Sequence, residues 1–551
     1  MNTFDYIVIG SGSSGSALAY RLLEDGKNTV AVIENGGNDS SPLIQMPAAL
    51  SYPMNMHKYD WSYYTEPEPS MGGRKLKCPR GRVLGGSSSI NGMVYVRGNP
   101  GDYDYWEESG AKDWSYSDVL PYFKRMETSH GGEIDWRGNN GPLHVSRGSR
   151  KNPLNEALLK SIVEAGYQVT NDYNGNKQEG FGPGEMTVWK GRRWSSFRAY
   201  LAPILNNQNL KIIKNALVDR VIFSNNTAKG VTFYRGKKIE KIYANKEIIC
   251  CAGSVGSPQI FQRSGIGSVH LLNELGIDII ANRQGVGENL QDHLEVYFQL
   301  KCKQKITLYR HLNIFSKALI GLQWLLFKSG HGSTNHFETL GFIRSKAGIK
   351  YPDVQFHLLP LAMNYDGSAP FKGHGFQFHV GPMRSNSRGH VRIKGKDPRL
   401  HPEILFNYMS RTEDWEDFRN CIRLSREILK QPSFKPYVEK EIQPGDDVEN
   451  DSAIDEFVRN NAESTYHPCG TMKMGDKNDP MAVVTPDCKV IGVSNLRVAD
   501  ASIFPRITNG NLNGPCMMVG EKAADHILGK PLLPKSNQIP YKNRDWETKQ
   551  R

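Results

Sequence analysis

A histidine and a cysteine stand close together in the stretch AESTYHPCGTMKMG, over residues 462–475. Such a pair could bind a metal, carry thiol chemistry, or leave proton transfer to the histidine alone. A metal site is disfavoured, because a single residue separates His467 from Cys469 and no second ligand pair accompanies them. The sequence therefore predicts no metal site, and Cys469 is expected to be a packed small residue.

Proton transfer is the remaining chemistry for His467. Imidazole has an ordinary pKa of about 6.5, so this side chain can be neutral near pH 7 and accept a proton from an alcohol. The imidazolium formed in this way would also stabilise negative charge that develops on the alcohol oxygen. Such a base needs an electrophile beside it to take the hydride.

The first fifty residues have the spacing of a dinucleotide-binding unit. In DYIVIGSGSSGSALAYRLLEDGKNTVAVIE a short apolar strand leads into Gly10, Gly12 and Gly15, a helix follows, and a second strand ends at Glu34. Gly10 allows the tight turn, Gly12 lets the backbone approach a pyrophosphate, and Gly15 lets the helix pack closely on the sheet. A carboxylate at the position of Glu34 can accept hydrogen bonds from a ribose diol.

The same features favour FAD over the nicotinamide cofactors. Glu34 disfavours a 2′-phosphate and therefore NADP. A further strand and glycine-rich turn, ANKEIICCAGSVGSPQIFQRSGIG, come at residues 244–267, far from the first motif. A sheet assembled from such distant pieces is more typical of a large flavoprotein than of a compact NAD domain.

Composition narrows the class of protein. The chain has 551 residues, 38% of them hydrophobic, and a net charge of +12, which fits a globular protein of two to four domains. The basic residues are dispersed, so nucleic-acid binding is not expected, whereas an anionic lipid surface or an acidic redox partner would suit the charge. The eight cysteines show no metal-binding or disulfide spacing, and the N-terminus has no signal-peptide pattern, which predicts a cytoplasmic location.

The sequence predicts the structure of two further segments, an apolar stretch and the C-terminal tail. The apolar stretch Ile314–Phe327 is too short and too interrupted to cross a membrane. It is expected to be an amphipathic helix packed on the body, with a membrane-facing patch as the alternative. Residues 531–551 are expected to be a loose C-terminal tail.

Several longer motifs point to one family. GRVLGGSSSINGMVYVRGNPGDYD and GSVGSPQIFQRSGIG resemble the two signatures of the glucose–methanol–choline (GMC) oxidoreductases, and HPCGTMKMG and LRVADASIFPRITNGNLNGP resemble its C-terminal blocks. Outside these blocks, QMPAALSYPMN, NHFETLGFIRS and PEILFNYMS resemble the bacterial choline dehydrogenases of that family. The resemblance runs from residue 5 to about residue 530.

The resemblance implies a fold. It is an α/β, Rossmann-like FAD-binding domain interleaved with an α+β substrate domain, which is built on an antiparallel sheet backed by helices. The expected FAD-binding segments are 1–155, 205–300 and 465–530, and the expected substrate-binding segments are 156–204 and 301–464. The alternating patterns of DVQFHLLPLAM and GFQFHVGPM agree with strands of that sheet.

The resemblance also implies roles for single residues. It makes His467 the catalytic base and Asn511, 44 residues later, the second active-site position, which can hydrogen-bond but cannot titrate. The further contacts with FAD that it implies are Asn91, Val218, Asp500 and Ala501. Some choline-oxidising relatives bind FAD covalently through a histidine one position before this asparagine. That position is Ile90 here, so noncovalent FAD is expected.

The resemblance implies choline as the substrate, oxidised to betaine aldehyde or on to glycine betaine for osmoprotection. A quaternary ammonium is held by aromatic faces and a carboxylate, and Glu338 in NHFETLGF is the expected carboxylate. Trp61, Tyr63, Tyr64 and Phe337 are candidate aromatic walls. The alternatives are another alcohol (a 3-hydroxy acid, an aliphatic alcohol or a sugar alcohol) and a FAD-containing lyase.

The sequence leaves two kinds of electron acceptor possible: O2, or a membrane acceptor such as a quinone or the respiratory chain. The resemblance and the positive charge together suggest peripheral contact with the inner face of the cell membrane.

Overall fold

The computed structural model describes residues 2–364 and 367–551. Its helices are Ser13–Leu23, Pro42–Gln45, Pro100–Glu108, Tyr116–Met126, Pro153–Glu164, Gly253–Arg263, Val269–Glu274, Ile314–Phe327, Thr412–Leu429, Asp451–Asn461 and Asn513–Leu528. No helix of the described ranges combines the length and the apolar character that crossing a membrane requires.

The first large sheet is assembled from distant parts of the chain, as the sequence predicts. Its spatial order is Leu210–Ile213, Val30–Ile33, Thr3–Ile9, Lys238–Cys250, Thr227–Arg235 and Leu217–Ser224, and Leu496–Val498 also pairs with Lys238–Cys250. The strands around Thr3–Ile9 run parallel, and the last three in that order form an antiparallel meander. The central strands are apolar runs buried on both faces, as parallel strands covered by helices require.

The second large sheet is antiparallel throughout. Its order is Val438–Gln443, Leu294–Cys302, Gly375–Pro382, Val354–Leu359, Thr339–Ile343 and Gly180–Pro183, and Glu463–Ser464 also pairs with Leu294–Cys302. Because Leu294–Cys302 belongs to this sheet, the domain boundary expected at residue 300 falls inside one of its strands. The expected fold class, a Rossmann-like domain interleaved with an antiparallel-sheet domain, is confirmed.

The two faces of the second sheet differ in polarity. Side chains alternate along a strand, so residues two apart share a face. Phe298 and Phe378 lie on a face that packs in one apolar cluster with Phe418 of the helix Thr412–Leu429. The opposite face carries polar side chains, among them Glu295, Gln299, Gln355, His357, Gln377 and His379. This polar face looks into the interior of the protein.

Two expectations about the surface are corrected. The helix Ile314–Phe327 forms, but its only buried residue is Trp324, whereas Phe315 is 79% exposed. Its apolar side therefore does not pack on the body. The segment 531–551 has no helix or strand, yet it is tied along the body: the amide of Ser536 donates to the carbonyl of Ser117 over 2.8 Å, and the Trp546 carbonyl accepts from the amide of Gly348 over 2.7 Å.

Candidate active site

A turn of three glycines forms one end of the main cavity. Gly10 has a left-handed φ of +100°, and a Cβ there would lie 2.5 Å from the carbonyl oxygen of Cys251. A Cβ on Gly15 would lie 2.1 Å from the carbonyl oxygen of Gly10, so only glycine lets the helix approach the strand. A Cβ on Gly12 would meet nothing within 4 Å. The backbone at Gly12 therefore borders open space beside the N-terminus of the helix Ser13–Leu23, where a pyrophosphate would sit.

Glu34 lies at the end of the strand Val30–Ile33, next to this turn. One carboxylate oxygen accepts hydrogen bonds from the amide and the hydroxyl of Ser11, at 3.1 and 2.8 Å, and the other accepts from the amide of Gly36 at 2.8 Å. Burial raises the pKa of Glu34 above its ordinary value, while these hydrogen bonds oppose the shift. The amide of Asn35 also hydrogen-bonds the carboxylate, and Glu34 lines the cavity, where a ribose hydroxyl would meet it.

The cavity runs on from the glycine turn along the other residues expected to contact FAD. Asn91, Val218, Asp500 and Ala501 all line it. Asp500 also stabilises the wall of the cavity. Its Oδ2 accepts a hydrogen bond from the amide of Gly253 over 2.8 Å, which links the helix Gly253–Arg263 to the turn after the strand Leu496–Val498. The placement of these residues matches the expectation, and their roles remain predictions.

His467 lies at the far end of the same cavity, in a loop held by one buried carboxylate. Asp292 Oδ1 accepts the backbone amide of His467 at 2.7 Å, and Oδ2 accepts the hydroxyls of Tyr408 and Ser464 at 2.6 and 2.5 Å. Asp292 directly precedes the strand Leu294–Cys302, so the second sheet fixes where the imidazole points.

The partners of His467 define its tautomer. The Met383 carbonyl, 3.0 Å from Nε2 of His293, can only accept, so His293 carries its proton on Nε2 and its Nδ1 is an acceptor. That Nδ1 is 3.1 Å from Nδ1 of His467. The Thr465 hydroxyl, 2.8 Å from the same Nδ1, donates its own proton to the His293 carbonyl. Both neighbours of His467 Nδ1 therefore accept, and His467 carries its proton on Nδ1.

The other imidazole nitrogen is left with its lone pair. Nε2 of His467 is 3.0 Å from Nδ2 of Asn511, an amide group that donates. Burial, followed by the nearby His293, Arg80 and His357, lowers the pKa of His467 well below its ordinary value. The imidazole is neutral at pH 7, and its Nε2 lone pair, which accepts from Asn511 here, can accept a proton from a hydroxyl that takes the place of the amide. The structure thus brings together His467 and Asn511, the pair expected from the sequence.

The structure places Glu338 away from this cavity, which corrects the expected placement. Its neighbour Phe337 lines the cavity, but the Glu338 side chain turns towards residues 148–150. A Cβ on Gly148 would lie 2.6 Å from Glu338 Cγ, and the amides of Arg150 and Ser149 hydrogen-bond the carboxylate. Phe337 and Glu338 precede the strand Thr339–Ile343, and only the side chain of Phe337 lines the cavity.

A different carboxylate, Glu295, lines the cavity near His467. It lies on the polar face of the second sheet, and its Oε1 is 2.9 Å from Nδ1 of His379. The His379 ring is 4.2 Å from the Tyr297 ring and 5.4 Å from the Phe337 ring, centre to centre. The two aromatic rings thus contact His379, the histidine that hydrogen-bonds Glu295, and a carboxylate with aromatic rings nearby is a combination that can bind a quaternary ammonium. Of the other aromatic candidates, Trp61 and Tyr63 line the cavity, and Tyr64 is half exposed at the surface.

Comparison with known proteins agrees with this geometry. Family models of the N- and C-terminal parts of the GMC oxidoreductases match residues 4–295 and 385–520. The chain belongs to the GMC oxidoreductase family. The chain is 59% identical to the oxygen-dependent choline dehydrogenase of Brucella ovis over 547 residues, which cover 99% of this chain and 100% of that one. It is 56% identical to the enzyme of the same name from Rhizobium rhizogenes, again over 99% and 100% of the two chains.

Solved structures of two oxidases show the same fold. Pyridoxine 4-oxidase from Mesorbium loti is 27% identical with a TM-score of 0.87, and the match covers 96% of this chain and 99% of that one. Formate oxidase of Aspergillus oryzae, a protein studied for its FAD modification, is 27% identical with a TM-score of 0.90 over 96% and 98%. GMC oxidoreductases are FAD-dependent. The residues here fit FAD, since open space at Gly12 and the acceptor Glu34 lie at one end of the cavity and His467 at the other.

Sequence reasoning missed several residues of this GMC site: His293, Glu295, Tyr297, His357 and His379. Their signal is the interruption of apolar strands by polar residues at every second position, as in HLEVYFQ and FQFHV. A buried strand that keeps a carboxylate or an imidazole on one face predicts a polar cavity on that side. The alternation predicts strands, but it does not by itself indicate which face meets the cavity.

Proposed function

We propose that this GMC oxidoreductase oxidises choline to betaine aldehyde, and the aldehyde on to glycine betaine as an osmoprotectant. The observation that supports choline as the substrate is Glu295, a buried carboxylate that lines the same cavity as His467 together with the aromatic rings of Tyr297 and Phe337. The full-length similarity to proteins named oxygen-dependent choline dehydrogenase supports it. A protein of net charge +12 repels a cation at long range, so recognition must be local, as Glu295 provides.

Each group of the site has a task in this reaction. Glu295 pairs with the ammonium charge, and the faces of Tyr297 and Phe337 contact its methyl groups. The alcohol hydroxyl takes the place of the Asn511 amide at His467 Nε2, which accepts the hydroxyl proton, and the amide of Asn511 then donates to the alcohol oxygen. When bound, FAD supplies the acceptor for the hydride that leaves the α-carbon. The alcohol thus loses one proton to the protein and one hydride to the cofactor.

We further propose that FAD is bound noncovalently. Ile90, which precedes Asn91 and lines the cavity, is aliphatic and cannot form a bond to the flavin. Acid precipitation of the holoenzyme is expected to leave all the yellow colour in the supernatant. Colour that stays with the precipitated protein would contradict noncovalent binding.

The decisive experiment is anaerobic mixing of the holoenzyme with choline. Loss of the flavin absorbance at about 450 nm shows that the flavin has accepted a hydride. Choline should reduce the flavin faster than 3-hydroxy acids, aliphatic alcohols or sugar alcohols do. No bleaching with any alcohol would favour a lyase. Subsequent admission of air then separates O2 from a membrane quinone as the acceptor, because only an oxygen-reactive flavin recovers its colour.

The proposed location is the cytoplasm, with peripheral contact at the inner face of the cell membrane. The positive net charge and the exposed apolar helix Ile314–Phe327 support it.

A further inference from the structure

The helix Ile314–Phe327 points its apolar side outwards, which is the reverse of the usual arrangement. At 3.6 residues per turn, the apolar residues at 314, 315, 318, 319, 322, 325 and 326 occupy one arc of about 140°. Within that arc, Ile314, Leu319 and Leu326 are 77%, 67% and 65% exposed. The polar Ser316 and the buried Trp324 lie on the side towards the body.

This orientation is fixed by specific contacts. The Trp324 indole donates to the carbonyl of Gly191 over 2.6 Å, and a Cβ on Gly332 would lie 2.8 Å from Trp324 Cβ. Lys328 ends the helix with its ammonium on the carbonyls of Trp324 and Leu325, at 3.0 and 2.6 Å. The helix is therefore attached along one edge, and its apolar arc is held in the solvent.

The charged residues of the segment that contains the helix indicate which kind of surface would cover the apolar arc. Residues 301–337 include no aspartate or glutamate, and they include the basic residues Lys301, Lys303, Lys305, Arg310, Lys317 and Lys328. Lys301 pairs with Glu439, but the other basic residues and the apolar helix lie in a segment that has no acidic residue, which suits an anionic lipid surface. A second copy of the chain would bring the same positive segment against itself, so a dimer contact is disfavoured.

The helix also lies beside the wall of the active-site cavity. Before it, the amide of Leu308 donates to the carbonyl of Pro360 over 2.9 Å, next to the cavity-lining Leu359. After it, the Asn335 side chain donates to the carbonyl of Gly92 over 2.8 Å, and both Gly92 and Phe337 line the cavity. Both ends of the helical segment are thus attached to the wall of the cavity.

We propose that the helix Ile314–Phe327 inserts its apolar arc into the interface of an anionic lipid bilayer and docks the enzyme in one orientation. Its 14 residues extend about 21 Å, less than the roughly 30 Å of a hydrocarbon core, so it lies in the plane of the membrane. Docking in this way places the cavity wall next to the lipid, where a lipid-soluble electron acceptor would have a short path to the flavin. This last consequence rests on the proposed function.

The test measures flotation of the holoenzyme with phosphatidylcholine vesicles, with and without phosphatidylglycerol, at physiological ionic strength. Binding to the anionic vesicles is expected to fall at least about tenfold in Phe315→Ser/Leu319→Ser/Leu326→Ser. The matched control is Ile134→Ser/Val163→Ser/Ile539→Ser, in which three equally exposed apolar residues elsewhere (81%, 60% and 84%) are replaced and binding should stay unchanged. Equal loss in both variants, or no binding by the parent enzyme, would overturn the proposal.

A second readout follows insertion directly. Ala318, exposed within the arc, is replaced by cysteine and labelled with an environment-sensitive dye. Anionic vesicles should shift the emission to the blue, and spin-labelled lipid should quench it; an unchanged spectrum would contradict insertion. A fall in the molar mass of the lipid-free serine variant would instead identify a second copy as the occupant and overturn the lipid proposal.

These measurements separate the inference from the proposed function. Vesicle binding needs no turnover, and reduction of the flavin by choline is followed in solution without vesicles. If choline bleaches the flavin but the enzyme does not dock, the docking proposal and the proposed peripheral membrane contact fail, and the proposed oxidation of choline stands. If the enzyme docks but choline does not bleach the flavin, only the proposed function fails.

Discussion

The two ends of the cavity are built in different ways. The cofactor end depends on backbone, with Gly10, Gly12 and Gly15 supplied by one short turn. The substrate end depends on side chains that several segments bring together, including Glu295 and His467. A backbone cradle can be recognised from local spacing, whereas a side-chain site depends on which face of a strand each residue occupies.

The largest effect is expected from the base at the substrate end. Replacing His467 by alanine should slow reduction of the flavin by saturating choline by about 10²–10⁴-fold, the usual contribution of a general base. The FAD content should stay unchanged, because the glycine turn is untouched. The measurement is anaerobic stopped-flow absorbance, with His270→Ala, whose side chain is 91% exposed, as the control. A loss below about tenfold would mean that another group is the base.

The next effect compares the two candidate carboxylates. Glu295→Gln should lower kcat/KM for choline by about 100-fold, because a buried charge pair with the ammonium is lost. Glu338→Gln should change it little, since that side chain faces residues 148–150. The uncharged analogue 3,3-dimethylbutan-1-ol serves as the control substrate and should be oxidised similarly by both variants. A large loss confined to Glu338→Gln would restore the assignment made from the sequence.

The cofactor end is tested by two glycines that differ in their surroundings. Gly12→Ala should leave the fold intact, because its Cβ would meet nothing within 4 Å, but should weaken FAD binding about tenfold by blocking the pyrophosphate. Gly15→Ala should instead destabilise the protein itself by about 1–3 kcal/mol, because its Cβ would overlap the carbonyl of Gly10. Flavin titration and thermal unfolding distinguish the two outcomes. Unchanged FAD affinity in Gly12→Ala would show that the pyrophosphate lies elsewhere.

The smallest effect is a pH dependence of stability at the substrate end. Burial lowers the pKa of His293 to about 4, whereas an unfolded histidine titrates near about 6.5. As the pH falls from 6.5 towards 4, the unfolded chain binds protons first, so stability that is complete above about pH 6.5 is lost across this window. His293→Gln should reduce the slope of the unfolding free energy against pH by up to about 1.4 kcal/mol per pH unit.

That slope is measured by urea unfolding between pH 7 and pH 5. The exposed His270→Gln serves as the control and should leave the slope as in the parent enzyme. An unaltered slope in His293→Gln as well would show that His293 does not titrate differently in the folded and unfolded states.

Particular elements show how far the sequence could predict this molecule. The GxGxxG turn, the cofactor-lining residues and the pairing of His467 with Asn511 are placed in the cavity as the motifs predicted. The expected placement of Glu338 in the cavity is wrong, because a motif reports proximity along the chain, whereas the Glu338 side chain turns towards residues 148–150. The tail over 531–551 was expected to be loose from its composition, which carries no information about the surface that it meets.

The sequence by itself determined the family and the dinucleotide turn and predicted His467 as the base, because each depends on residues within one short stretch or on a recognisable block. Only the tertiary structure decided which carboxylate faces the base, which tautomer His467 adopts, and which way the helix Ile314–Phe327 turns its apolar side. The physical reason is the same in all three cases. The register of the strands places Glu295. The carbonyl of Met383 fixes the proton of His293 and so the tautomer of His467, and the hydrogen bond from Trp324 to Gly191 holds the helix. These contacts join residues far apart in the chain and exist only once the sheets have assembled.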